Sequence, residues 1–214
     1  MDSGAGWPRG NMLAVIGGEA EHPGAEVRRR MVRSAARLFG ERGFAGAGLR
    51  DVVAHSAAPR GSIYHHFPDG KVQLVEEAVD FAGDAITAAI NQLAGEGGDP
   101  VEAIHLFVNV MRHVLVSSDF RAGCPVVAVA AESSPDAGEQ ARLSRTTARV
   151  FKDWNAALAA AIESKGVAPK RAQSLATLMI ASIEGAVVMC RAQRTTAPLD
   201  EVETELEALV AAIV

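Results

Sequence analysis

Apolar residues recur at helical spacing through nearly the whole chain after residue 25, and that periodicity is what most limits its fold. The clearest run is Leu175, Leu178, Met179, Ser182, Ile183, Ala186, Val187 and Cys190, which shares one face of a repeat of roughly 3.6 residues. Ile104, Phe107, Val108, Met111, Val114 and Leu115 repeat in the same way, as do Phe151, Trp154, Leu158, Ala161 and Ile162. Earlier, Met31, Ala35, Leu38 and Phe39 predict a first helix over 26–42, stopped by Gly43. Helices are also expected over 170–193 and 200–213. Only Pro125–Ala131 reads ambiguously between strand and buried helix. A lone strand would leave its hydrogen-bonding edge unpaired, so a short helix with Pro125 at its first position is expected. The chain is then all-α, with about nine helices by this count of periodic runs.

Composition removes several classes. The chain has 214 residues, 49% hydrophobic and 22% charged, with 20 glycines and 9 prolines, which is too little Gly and Pro for a fibrous or wholly disordered chain. No charge-free apolar run approaches the roughly 20 residues of a membrane span, so no membrane partner is expected. The apolar patch Met12–Ile16 is shorter than the core of a secretory signal, and the expectation is a cytoplasmic protein with a loose tail over 1–25. Cys124 and Cys190 have no CxxC or Cys/His spacing around them; they read as small buried hydrophobes, and neither metal nor cofactor is expected.

Charge is segregated. Residues 26–75 hold nine Arg or Lys against four acids, whereas residues 76–214 hold eleven against nineteen. A basic block on an acidic chain is the footprint of a phosphate-facing region, with a solvated helix face as the alternative. Within that block, LRDVVAHSAAPRGSIYHHF (49–67) places Leu49, Val52 and Val53 inward on one short helix, breaks at Ala57-Ala58-Pro59, and resumes with a second over Pro59–His66. Two short helices across such a turn form a helix-turn-helix, whose second helix enters the major groove. Ile63 and Phe67 would pack inward; Arg60, Gly61, Ser62, Tyr64 and His65 would point out, with donors suited to phosphates and base edges.

The ordered blocks AARLFGERGF, LRDVVAHSA, PRGSIYHHF and GKVQL resemble the DNA-binding domain of TetR/AcrR-type transcriptional regulators. Further on, GCPVVAVAAE (123–132) and IEGAVVMCRAQRTTAPLDEVETEL (183–206) resemble the LmrA/YxaF-like subgroup of those regulators. The resemblance implies a helix-turn-helix domain over 26–72, a ligand-binding and dimerisation domain over 73–214, double-stranded DNA as partner, and a small apolar or aromatic effector. It makes Tyr64 a phosphate-contacting aromatic, with helix packing as the alternative. Lys71 sits in the first turn of the next helix, where the dipole disfavours a cation; a phosphate partner would explain it, as would simple solvation. Arg28 and Arg50 complete the DNA-facing candidates. Two positions depart from the family pattern: Ala47-Gly48 where a side-chain N-cap is usual, and Ala57 where the turn usually has glycine. If Ala57 adopts a left-handed backbone, it costs about 1 kcal/mol.

In the acidic half, no nucleophile and base share a catalytic spacing, and Glu132, Glu184, His105 and His113 are scattered, so an enzyme is not expected. Phe107, Met111, Cys124, Phe151, Trp154 and Met179 could line an apolar cavity, with His105, Asn155 or Glu184 orienting a ligand; plain core is the alternative for each. For a homodimer, Ala181 and Gly185 permit close backbone approach, with Ile180, Val187, Val188, Leu206, Leu209, Val210 and Ile213 as its apolar surface. The leading reading is a homodimeric, effector-responsive repressor. An effector-independent regulator is the rival, and an all-α enzyme using Cys124 or a histidine is the third.

Overall fold

The computed structural model describes residues 23–59, 61–95, 99–132, 134 and 136–213. The expected tail therefore lies outside the described residues up to residue 22, as does Arg60. Nine helices and no strand are found among the described residues: α1 (Pro23–Gly46), α2 (Leu49–His55), α3 (Ser62–His66), α4 (Gly70–Gly95), α5 (Pro100–Ser117), α6 (Pro125–Ala130), α7 (Ala137–Glu163), α8 (Pro169–Gln193) and α9 (Ala197–Ala211).

Local chemistry explains the starts of three of them. Asp99 accepts the Val101 N–H at 2.9 Å, and Glu102 reaches back to the Asp99 N–H at 3.1 Å, closing a reciprocal cap on α5. Asp136 caps α7 by accepting from the Glu139 N–H at 2.8 Å. Pro125 does begin a short helix, as its missing N–H and fixed φ favour. Two boundaries differ from the sequence reading. The first helix runs past Gly43, which is bent out of helical geometry (φ 71°, ψ −178°), and resumes to Gly46. The reading helix is shorter than Pro59–His66, because Gly61 takes φ 88° and helical geometry begins only at Ser62.

One continuous core joins the two ends of the molecule. α4 runs unbroken through the expected 72/73 domain boundary. Its Leu74, Val75 and Ala78 are fully buried beside α1, and its far half packs on α7. A Cβ added at Gly83 of α4 would fall 2.5 Å from Val150 of α7, so only glycine allows that approach. Trp154, fully buried, donates its indole N–H to the Gly83 carbonyl at 3.0 Å and stacks edge-on against Phe107, 5.1 Å between centroids. Ion pairs line the same helix: Arg142 bridges Glu76 at 2.6 Å and Asp69 at 3.6 Å, and Arg149 reaches Asp80.

α8 is long and apolar enough, by length and composition, to cross a bilayer, although charged residues interrupt its apolar run. Half of that stretch is buried inside the protein, around a buried Glu184. This is the pattern of a core helix in a water-facing bundle.

Candidate nucleic-acid interface

α1, α2 and α3 form the head. Ile63 (4% exposed) and Phe67 (0%) anchor α3 inward, and Val52 anchors α2, while Leu49 and Val53 are half-buried beside it. With α3 seated that way, Tyr64 is 65% exposed and His65 is also exposed, so the chain's only tyrosine stands free on the outer face. The Ser62 hydroxyl donates to the Pro59 carbonyl at 2.7 Å, which leaves its oxygen able to accept but commits its proton to holding the turn. Gly61 serves the backbone: its φ of 88° is a conformation that a side chain would strain, although a Cβ there would meet nothing.

The turn between α2 and α3 is a Schellman closure. The Ala58 N–H bonds the Val53 carbonyl at 3.2 Å and the Ala57 N–H bonds the Ala54 carbonyl at 3.3 Å, with Ala57 at φ 51°. The left-handed conformation anticipated at Ala57 is thus present on a residue with a Cβ. The missing cap on α2 is partly repaired. Gly48 offers no side chain, yet Asp51 accepts the Gly48 N–H at 2.8 Å.

The basic candidates separate. Arg50 is exposed on α2 with no ion-pair partner among the described residues. Arg28 instead bonds Glu77 of α4 at 2.6 Å and lies 5.0 Å over the Phe67 ring, so its guanidinium is engaged inside the head. A carboxylate of α4 and an aromatic ring thus supply partners of the kind phosphate was expected to supply, while the Arg28 side chain stays 41% exposed. Lys71 is half-buried with its ammonium 4.2 Å above the Phe44 ring centroid, and burial pulls its pKa below the ordinary lysine range. The ring accounts for the cation at a helix start without requiring phosphate. The imidazole of His66 is likewise held below its usual range, first by burial and then by His65 and Arg28.

In the body, Phe107, Trp154, Met179, Met111 and Cys124 are buried, none more than 4% exposed, and Phe151 is half-buried against Trp154 at 5.7 Å. His105 and Asn155 do not join them. His105 pairs with Glu207 of α9 at 2.6 Å, and Asn155 donates to the Gln173 carbonyl and the Thr177 hydroxyl. Both are half-buried at the periphery because their partners sit on neighbouring helices, not in the core. His105, Glu203 and Glu207 bring ligand atoms within 4.8 Å of one another, but Arg112 already holds Glu203 at 2.6 Å. Glu184 does lie in the interior: neither carboxylate oxygen has a hydrogen-bond partner of good geometry among the described residues, and burial pushes its pKa up to about 7, the nearby Cys124 thiol only partly offsetting it. Burial, then Glu184, pushes the Cys124 thiol well up, which leaves it protonated and unreactive. An open recess of about 600 Å³ lies elsewhere, between α1 and α8, bordered by Arg42, Phe120, Arg121 and Arg191.

Of the apolar residues assigned to a dimer face, Ile180 (8%), Val187 (2%), Leu206 (4%) and Val210 (1%) are buried within the single chain. They close α8 and α9 onto the body. Sequence periodicity could not separate this face from an outward one, because α8 is apolar on both. Ala181, Gly185 and Val188 are exposed and Leu209 and Ile213 half-buried; Leu178, which the periodicity placed on the buried face, is instead exposed and with Met189 extends the outward stripe.

Comparison with known proteins places this geometry. Residues 32–78 match the bacterial regulatory proteins of the tetR family, and residues 100–205 match the transcriptional regulator LmrA/YxaF-like C-terminal domain. An HTH-type transcriptional regulator of Mycobacterium tuberculosis is 43% identical over 188 residues, covering 86% of this chain and 94% of the relative. The HTH-type transcriptional regulator YxaF of Bacillus subtilis is 34% identical over 185 residues, covering 86% and 95%. Among solved structures, a TetR transcriptional regulator from Chloroflexus aurantiacus superposes with a TM-score of 0.64 at 30% identity, covering 88% of this chain and 96% of that one. An exposed reading helix on a basic head and an LmrA/YxaF-like helical body identify the chain as a member of the TetR family of DNA-binding transcriptional regulators.

Proposed function

We propose that the protein is a homodimeric repressor whose two α3 helices enter successive major grooves of a pseudo-palindromic operator, and which a small apolar or aromatic effector releases. The observation that carries the DNA side is the outer face of α3, where Tyr64 is 65% exposed beside the exposed His65, with Arg50 exposed on α2. An exposed tyrosine on a helix this well anchored has no packing role to explain it. The dimer reading rests on the α8 stripe of Leu178, Ala181, Gly185, Val188 and Met189: apolar, solvent-facing and open at Gly185, where a Cβ would meet nothing. An isologous pairing of that stripe with its copy would cover it and set the spacing of the heads.

For the effector, Glu184 is the polar group that would orient a ligand in an otherwise apolar interior beside Cys124. The release step requires the effector to prefer the arrangement that does not fit DNA, since equal affinity for both shifts nothing. The tight packing of Phe107, Trp154, Met111 and Met179 favours a second reading, an effector-independent regulator. The test is a binding titration with DNA upstream of the protein's own gene at two salt concentrations, comparing wild type with Tyr64→Ala. Salt-sensitive binding that Tyr64→Ala weakens supports the reading; equal binding by both removes α3 as the reading helix. Sedimentation at micromolar concentration tests the dimer, and a monomer sinks it. Thermal stabilisation by aromatic compounds separates the two effector readings.

A further inference from the structure

The block GCPVVAVAAE has a role that neither reading head nor effector pocket explains. Its first residue, Gly123, donates its N–H to the Gly40 carbonyl of α1 at 3.0 Å, and a Cβ at Gly40 would lie 2.6 Å from the Gly123 carbonyl oxygen. Its last residue, Glu132, returns to the same helix one turn further on. One carboxylate oxygen accepts the Phe44 N–H at 3.0 Å and the other accepts the Ala45 N–H at 2.8 Å. Between them lies Gly43, bent at φ 71°, where a Cβ would fall 1.6 Å from Glu132 Oε1. The body thus grips α1 from both ends of α6, and the second grip falls on the bend from which the chain enters α2.

We propose that Glu132 is a positioning residue for operator recognition, acting through the Phe44 and Ala45 backbone to fix the angle of the helix-turn-helix to the body. The two N–H groups are freed by the bend at Gly43, so without Glu132 their remaining partner is water. The bend could then take more than one angle. Phe44 is the lever, since its ring is buried and carries the Lys71 ammonium of α4 on its face. Glycine at 43 is required twice, for its left-handed φ and for the space the carboxylate occupies.

The inference rests on the family-level DNA binding, and its test has one arm that uses no DNA. Amide exchange of the full-length protein reads the Phe44 and Ala45 N–H groups directly. Binding is measured to a duplex that the wild-type protein recovers from a random-sequence pool, at a temperature where circular dichroism shows every variant folded. Glu132→Ala is expected to lose protection at those two amides and to weaken duplex binding about tenfold, a coupling of about 1.4 kcal/mol. Gly43→Ala should do the same by displacing the carboxylate, and the double variant should bind no more weakly than the poorer single one, because both break one contact. A residue that only stabilised the fold would shift the melting temperature and leave the affinity of the folded protein unchanged. Glu132→Gln, which keeps the side-chain length and one acceptor, should fall between wild type and Glu132→Ala. Protected amides in Glu132→Ala, wild-type affinity in that variant, or additive losses in the double variant would each overturn the proposal. If the wild type recovers no duplex, the DNA reading fails, and the amide arm alone decides whether the grip exists in solution.

Discussion

Ala57 occupies the position that closes the turn between the two helices of the head, at φ 51° with both Schellman hydrogen bonds formed around it. An L-residue there brings its Cβ against the backbone at a cost of about 1–2 kcal/mol, which glycine escapes. Glycine in turn costs about 0.5–1 kcal/mol through the freedom it adds to the unfolded chain. Ala57→Gly should therefore stabilise the protein by about 0.5–1 kcal/mol, because the turn is already formed and exposed Ala57 makes no buried contact to lose. For a chain of this length that raises the melting temperature by about 1–4 °C. The assay is calorimetry or circular dichroism at fixed protein concentration, since a dimer's transition depends on it. Ala57→Val is the companion, and its branched side chain should lower the transition. An unchanged or lowered midpoint for Ala57→Gly would refute the reasoning, since the alanine would then not be strained.

Three further outcomes follow from the geometry. Tyr64→Ala should weaken operator binding by about tenfold or more, of order a lost phosphate or base contact, while leaving the melting temperature within a degree or so, because the side chain is 65% exposed. Arg50→Ala should weaken binding similarly across sequences and reduce the salt slope by about one, whereas Arg28→Ala should lower the stability of the head, its guanidinium being held by Glu77 and Phe67. Glu184 has a folded pKa raised to about 7 from an ordinary 4.5, so the folded state binds its proton more tightly than the unfolded chain does. Its contribution to stability is then full below pH 4.5 and is lost as pH rises through 7, roughly 3 kcal/mol in all. Wild type should lose stability relative to Glu184→Gln across that window, and parallel pH curves would show that the carboxyl is not buried as described.

Periodicity was enough to give the helices, because a buried stripe at i, i+3, i+4 writes itself into sequence whatever the stripe packs against. The turn was legible for a related reason: Ala-Ala-Pro and the sparse apolar pattern of 49–67 leave few other structures open. What a helix packs against is not local information. Ile180 and Val188 are both apolar residues of α8, yet one is 8% and the other 55% exposed, and the positions of the neighbouring α5, α7 and α9 decide which. His105 and Asn155 read as ligand groups for want of visible partners, which arrive from 102 and 22 residues away. Glu132 was missed for the same reason. Its partners lie 88 and 87 residues earlier, and a backbone N–H leaves no mark in the sequence. The one available signal was Gly43, which reads as a helix stop but also marks where the backbone must be approached closely.

The indole of Trp154 hydrogen-bonds the backbone of α4 at Gly83, the glycine that lets α4 and α7 touch. The chain's other tryptophan is Trp7, outside the described residues, so a Trp7→Phe protein carries a single tryptophan, which excitation at the red edge of the indole band selects over Tyr64. Its emission colour and accessibility to quenchers would register any sliding of α4 past α7. An optical gauge of movement along the helix that joins the head to the body is thus built into the core, with no label attached.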